Sequence, residues 1–345
     1  MKEMMNALLM YGPNDIRYEK IEKPECPTDG FLIKVKAVGL CGSDIRNLTT
    51  DSKKGNYPFV YGHEEVGEIV EIGAECTGFE IGDRIFSPRP VPCMECEACI
   101  DGRSEQCQNI KEPEIGGFAE YAAVSGRVLK AKMWAKIPKD IKYEYATLGE
   151  PLSSVYSCQR KLNIKFGDTV VIIGAGPIGC FHVRLAKLRG AKTVISIDIA
   201  QNRLNTTKEL GADYIINSLE IDPIAEVKRI TNKKGADHVI SATPVVKTQQ
   251  QALEMARNGG VITFFGGVPK GTLTPLDTNI IHYNNLWIYG HFGANVKDQQ
   301  EAFRLAISEE FTPEKFITKV MPMKDIDEAL RIAKAGEAIK IVLVP

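Results

Sequence analysis

The chain has 345 residues, a length that suggests about two domains. Its 43 basic and 44 acidic residues nearly cancel, so no bulk electrostatic attraction to nucleic acid or to an anionic membrane is expected. With 44% apolar and 25% charged residues, the composition excludes global disorder, and nine cysteines are too few for a disulfide-dense scaffold of this size.

The first eighteen residues mix Lys2, Glu3, Asn6, Asp15 and Arg17 with a short apolar run, Ala7 to Met10. That run is too short for a secretory leader, and no apolar stretch reaches the ~18 residues of a membrane span. The expectation is a reducing cytoplasm, where clustered cysteines bind metal more readily than they pair. The first third then reads as β-rich. Phe31 to Val38 alternates apolar and polar, Glu65 to Gly73 does so again, and Gly82-Asp83-Arg84-Ile85-Phe86 reads as a turn entering a strand.

The character changes between Glu150 and Gly167. Thr169 to Ile173 is a continuous apolar run, as in a strand buried on both faces. Pro177 to Leu188 reads as a helix, Thr193 to Ile197 as a strand and Asn202 to Leu210 as a helix. Strands follow at Asp213–Ile216, Asp237–Ser241 and Val261–Phe265, with helices at Pro223–Ile230 and Thr248–Arg257 between them. This alternation implies a parallel sheet with helices on both faces. Trp287 to Tyr289 reads as a further strand, either internal or at an edge that a second copy could extend. The tail holds helices Asp298–Glu309 and Ile326–Ala335 and a strand, Ile339–Val344.

Gly174-Ala175-Gly176-Pro177-Ile178-Gly179 is G-x-G-x-x-G between a buried strand and a helix. In that context the glycines permit a tight turn and a close approach of a pyrophosphate to the helix N-terminus. Asp198, about 20 residues on, closes the next strand, where a carboxylate accepts from ribose hydroxyls and repels a 2′-phosphate. This favours NAD over NADP. Arg203 leaves room for the other reading, since it suits either an adenosine ribose or a phosphate.

Two sets of metal-ligand residues stand out. Cys93, Cys96, Cys99 and Cys107 follow a C-x2-C-x2-C-x7-C spacing, which suits one closed, structural zinc site, with an iron–sulfur cluster as the chemical rival. The second set is scattered: Cys41 on a Gly-flanked turn, His63 and Glu64 after a Pro-containing loop, and Glu150 where the chain changes character. One thiolate, one imidazole and one or two carboxylates suit an open, catalytic zinc site.

Cys41-Gly42-Ser43-Asp44, Gly62-His63-Glu64-Glu65-Val66-Gly67, Gly82-Asp83-Arg84, the four-cysteine loop, Gly117-Phe118-Ala119-Glu120-Tyr121, Glu150-Pro151-Leu152 and the glycine loop occur in that order. Together they resemble the zinc-dependent medium-chain dehydrogenase/reductase family over nearly the whole chain, and Glu150-Pro151-Leu152 is similar to its sorbitol dehydrogenase branch. The resemblance implies an α/β architecture in two parts: a GroES-like β-rich catalytic domain over residues 1–151 and 291–345, and an inserted Rossmann domain over 152–290. It implies two zinc ions per chain, one catalytic and one structural. Cys41, His63 and Glu150 become ligands of the catalytic zinc, Glu64 a near or exchanging ligand, and Ser43 a hydroxyl that passes on the substrate proton. Gly174, Gly176, Pro177, Ile178, Gly179, Asp198 and Arg203 become cofactor contacts. The implied reaction moves a hydride between a secondary alcohol or ketone and NAD(H). The implied assembly is a homodimer or homotetramer.

Two departures from that family bear on the substrate. Five positions after Cys41, where many relatives carry a histidine of a proton relay, stands Arg46, which is no base near neutral pH. Where polyol-oxidising relatives carry an Arg-Tyr pair, the chain reads Gly290-His291-Phe292-Gly293-Ala294-Asn295. His291 and Asn295 are candidates to bond a different polar substrate, and His291 alternatively stacks near the cofactor. The leading expectation is therefore a polyol, sugar acid or sugar-alcohol phosphate. An L-threonine 3-dehydrogenase is the alternative within the class. A non-catalytic dinucleotide-binding regulator and a zinc-free quinone reductase are opposed by the retained Cys41, His63 and Glu150.

Overall fold

The computed structural model describes residues 2–50, 55–111 and 115–345. The chain divides into two compact units, one of residues 1–153 and 294–345 and the other of residues 154–293.

The second unit is built on one six-stranded parallel sheet. Its order is Tyr214–Asn217, Thr193–Asp198, Thr169–Ile173, Ala236–Ser241, Ala256–Phe264 and Trp287–Gly290. Thr169–Ile173, first in sequence, lies third in space. The chain winds outward from it in one direction and then the other, so the connecting helices cover both faces. This is the doubly wound arrangement of dinucleotide-binding folds. Val170, Val171 and Ile172 are fully buried, as a continuous apolar run in a central parallel strand requires. Among the described residues Trp287–Gly290 pairs only with Ala256–Phe264 and forms the sheet's outer strand, with the Trp287 side chain exposed.

The first unit is β-rich. A seven-stranded sheet runs in the order Ile317–Pro322, Lys340–Val344, Phe31–Gly39, Glu65–Ile72, Arg84–Phe86 and Ala135–Lys136, with Tyr121–Val124 also pairing with Phe31–Gly39. The alternation expected in Phe31–Val38 holds over Ile33–Ala37 and gives way to continuous burial at either end. Neighbours on every side bury all of Phe31–Gly39 except Lys34, which is exposed, and Lys36, which is half-buried. The C-terminal strand Lys340–Val344 lies antiparallel beside it, with Val342 opposite Gly39 and Leu343 opposite Val38. A second sheet joins Met4–Gly12 to Asp15–Glu22 and Phe59–Val60. No helix among the described residues is long and apolar enough to cross a membrane.

Candidate active site

In the first unit, Cys41 lies two residues past the strand Phe31–Gly39 and caps the helix Gly42–Thr49 from an extended backbone conformation. Its backbone N–H donates to Asp44 Oδ2 at 3.0 Å. The other oxygen of Asp44 lies 3.1 Å from His63 Nδ1. A carboxylate only accepts, so Nδ1 carries the proton and Nε2 keeps its lone pair for a ligand role. Asp44 is 1% exposed and thus fixes both Cys41 and His63 from beneath. Ligand atoms of Cys41, His63 and Glu64 lie within 4.8 Å of one another. Glu150, in the first turn of the helix Gly149–Leu162, brings Oε2 to 4.0 Å from His63 Nε2.

The electrostatics of this cluster call for a cation. Burial pushes the Glu150 carboxyl up to about 7, with Glu64 and Asp44 adding to the rise against His63 and Lys340. Burial pulls His63 down, but Asp44, the Cys41 thiol and Glu150 outweigh it and hold its pKa well above the ordinary value. A site that draws a proton onto an imidazole also draws a divalent metal, and the donors present are the thiolate, imidazole and carboxylate of an open zinc site.

Glu64 is fully buried and paired with Lys340, which is 3% exposed. Lys340 Nζ also donates to the Leu40 carbonyl at 3.2 Å. A Cβ on Gly39 would stand 1.8 Å from Glu64 Oε2, so glycine is required beside this pair. The next residue, Glu65, points the other way along the strand and pairs with buried Arg89. Ser43 is half-buried in the first turn of the helix capped by Cys41, and Arg46 is exposed in its last turn. Asp44 and Lys340 are the site residues that sequence reasoning missed. A lone lysine opening the apolar run Lys340-Ile341-Val342-Leu343-Val344 was the one available signal.

The four remaining thiols form their own site. Cys93 Sγ lies 3.5 Å from Cys107 Sγ and 4.0 Å from Cys99 Sγ, and Cys96 Sγ lies 3.9 Å from Cys107 Sγ. A tetrahedron with zinc–sulfur bonds of about 2.3 Å has edges of about 3.8 Å, so one ion at the centre fits. Backbone N–H groups of Glu95 and Cys96 donate to Cys93 and lower its pKa to about 6, favouring the thiolate. Burial pushes Cys99 up to about 12.

In the second unit, the glycine loop joins the strand Thr169–Ile173 to the helix Pro177–Leu188, which is N-capped by Gly176 with Pro177 in the first turn. Gly179 is obligatory, since a Cβ there would lie 1.7 Å from the Gly174 carbonyl oxygen. Asp198 accepts from the N–H groups of Ala175 (2.6 Å), Ile199 (2.8 Å) and Ala200 (2.9 Å), which ties it to the loop. Ile178 is half-buried in the first helical turn, and Arg203 is half-buried in the helix Gln201–Glu209. His291 is buried, with Nδ1 3.0 Å from the Tyr289 hydroxyl and its ring stacked on Phe265. Asn295, in the first unit, caps the helix Val296–Ala306 by accepting from the Asp298 N–H at 2.8 Å.

Residues 27–139 match the family model of an alcohol dehydrogenase GroES-like domain, and residues 177–308 match that of a zinc-binding dehydrogenase. The chain belongs to the zinc-dependent medium-chain dehydrogenases and is a zinc-containing alcohol dehydrogenase of the sorbitol-dehydrogenase-like kind. It is 36% identical to a sorbitol dehydrogenase of Bacillus subtilis, over 84% of this chain and 82% of the relative. It is 32% identical to an L-threonine 3-dehydrogenase of Symbiobacterium thermophilum, over 100% of this chain and 99% of that one. A crystal structure of a zinc-binding dehydrogenase from Sinorhizobium meliloti, bound to NADP, superposes with a TM-score of 0.87 at 27% identity, covering 100% of both chains.

Proposed function

We propose that this enzyme moves a hydride between NAD(H) and a secondary alcohol or ketone, the alcohol being a polyol, sugar acid or sugar-alcohol phosphate. The observation that carries the reading is the convergence of Cys41, His63 and Glu64, with Glu150 beside them, on one partly buried spot. In this reading Cys41, His63 and Glu150 hold one zinc ion, and Cys93, Cys96, Cys99 and Cys107 hold a second. A zinc ion held by the first set supplies Lewis acidity at the substrate oxygen, and the nicotinamide supplies the redox chemistry. Asp44 orients His63 and keeps Nε2 free for the metal. Ser43 takes up the hydroxyl proton. Exposed Arg46 does not continue that relay, so the proton leaves Ser43 by another route. Gly174, Gly176, Pro177, Ile178 and Gly179 shape the phosphate site at a helix N-terminus. Asp198 accepts the ribose hydroxyls and, with Arg203, sets the cofactor preference. The exposed outer strand Trp287–Gly290 supports a homodimer or homotetramer.

The experiment is NADH formation on a panel of polyols, sugar acids, polyol phosphates and L-threonine, with and without prior removal of zinc. The reading expects NAD-dependent oxidation of a secondary alcohol on the panel, lost with the metal. Activity that survives complete zinc removal contradicts it. L-Threonine as the best substrate establishes the second reading, which the full-length match to a threonine dehydrogenase favours. Replacing Asp198→Ala is expected to shift kcat/KM from NAD toward NADP by about tenfold or more, the effect of losing a hydrogen bond to a charged group. An unchanged ratio removes Asp198 from cofactor choice.

A further inference from the structure

His182 is a polar side chain in an apolar place. It is fully buried in the second turn of the helix Pro177–Leu188, between buried Phe181 and Val183. Its ring is held as well as enclosed. The Gln159 side-chain nitrogen donates to the His182 carbonyl at 2.8 Å and lies 3.1 Å from His182 Nδ1. Nδ1 therefore accepts, and Nε2 carries the ring proton. The ring meets Phe265 edge-to-face, with centroids 4.7 Å apart at 90°. Phe265 in turn stacks on His291 at 5.5 Å and 22°, and the Tyr289 hydroxyl lies 3.0 Å from His291 Nδ1. All five residues belong to the second unit.

Their places in the sheet give this chain of contacts a direction. A doubly wound sheet binds a dinucleotide at the carboxyl ends of its strands, with one mononucleotide on either side of the point where the strand order reverses. The glycine loop follows the strand Thr169–Ile173 at that point, and Asp198 ends the neighbouring strand on one side of it. With the adenosine on the Asp198 side, the nicotinamide falls over Ala236–Ser241, Ala256–Phe264 and Trp287–Gly290. Phe265 and His291 are the first residues past the last two of these strands. Phe265 is half-buried, so part of its ring remains open to a ligand. His182 lies one helical turn after Ile178 and on the same face of the helix. It thus joins the helix that receives the pyrophosphate to the strand ends that receive the nicotinamide.

We propose that His182 is a positioning residue for the nicotinamide half of the dinucleotide, fixing Phe265, and through Phe265 His291, at the ends of two strands.

The role rests on the proposed NAD(H) reading of this unit. Its physics is orientation. A leucine in place of His182 would fill much of the volume, but nothing would set its angle. Gln159 would lose its ring acceptor, and Phe265 would lose the aromatic edge against which it is placed. Asp198 and the glycine loop would keep their own contacts, because Asp198 is tied to the backbone of Ala175, Ile199 and Ala200. The adenosine half and the nicotinamide half therefore have separate supports, and His182 belongs to the second.

The test is equilibrium binding of two ligands to the zinc-loaded full chain. NADH carries the nicotinamide; ADP-ribose carries the adenosine, both phosphates and the second ribose without it. In His182→Leu, NADH should bind about five- to tenfold more weakly, the effect of losing an oriented aromatic contact, while ADP-ribose binds within about twofold of wild type. The blue shift of NADH emission on binding should shrink in the same variant. His182→Phe keeps a ring against Phe265 and should bring NADH affinity back to within about threefold of wild type. If His182→Leu does not accumulate folded, Phe265→Leu breaks the same chain of contacts and should show the same split between the two ligands. Equal weakening of both ligands, or unchanged NADH affinity and emission, in either folded variant overturns the proposal. Failure of the underlying cofactor reading looks different: the wild-type protein would then bind neither NADH nor ADP-ribose.

Discussion

The first unit carries two clusters of side chains of the types that hold metal ions, and they are built in opposite ways. Cys93, Cys96, Cys99 and Cys107 lie within fifteen consecutive residues, offer four identical soft donors and draw their electrostatic support from local backbone N–H groups. Such a site is closed once filled and contributes to folding. Cys41, His63, Glu64 and Glu150 come from three separate elements, offer mixed donors, and are supported by Asp44 beneath, three residues from Cys41, and by Lys340 behind, far away in sequence. A mixed, incompletely filled set leaves room for substrate. The difference teaches that ligand number alone does not separate structure from chemistry; the supporting charges do.

The largest effect that separates the clusters is expected at His63. Replacing His63→Ala should lower kcat/KM by about a thousandfold or more, since the metal's contribution is lost whole, with far-UV circular dichroism unchanged. Activity within tenfold of wild type would remove His63 from the metal. Next comes Cys93→Ser. This variant should lose one zinc equivalent and several degrees of thermal midpoint, while folded protein keeps kcat/KM within a few-fold of wild type. A wild-type midpoint with collapsed activity would reverse the roles assigned to the two clusters. Asp44→Asn tests the supporting layer. The amide can present an N–H to Nδ1 and favour the wrong tautomer, so catalytic zinc should bind about 10- to 100-fold more weakly by competition with a chelator. Equal affinity would make Asp44 a helix cap only.

The smallest effect concerns a second imidazole, in the other unit. His182 is fully buried, and burial, reinforced by His291, pushes it down from an ordinary 6.5 to about 3. His63, among carboxylates, shifts the other way. His182 stays neutral in the native state, while in the unfolded chain it gains a proton below pH 6.5. Its contribution is therefore present above pH 6.5 and is lost as pH falls toward 3, by at most about 1.4 kcal/mol per pH unit. Denaturant unfolding of His182→Leu between pH 7 and pH 4 should show a slope shallower by up to one proton. An identical slope would mean that His182 ionises normally in the native protein.

The second unit was the more legible in the sequence, because its strands are short, apolar and buried and its helices end at Gly190 and Gly211. The helix Gly149–Leu162 was not read. Ser153, Ser154, Val155 and Ser157 give it weak intrinsic propensity, Pro151 looks like a breaker although it is tolerated in a first turn, and packing decides the matter. The clustering of the four-cysteine loop was legible because its thiols are neighbours in sequence. Cys41, His63 and Glu150 were proposed as ligands by resemblance more than by spacing. The partnership of Glu64 with Lys340 was not legible at all, because it spans 276 residues and exists only once Lys340–Val344 joins the sheet beside Phe31–Gly39. Asn295 is a candidate substrate contact in the sequence, and in the structure its side-chain oxygen caps a helix.

The division of labour between the two clusters is tested most directly by metal content measured on the same preparations as activity. The account predicts two zinc equivalents in the wild-type chain, one in Cys41→Ser with no alcohol-dependent NADH formation, and one in Cys107→Ser with activity retained in the folded fraction. Two equivalents in Cys41→Ser, or full activity with one, would contradict it.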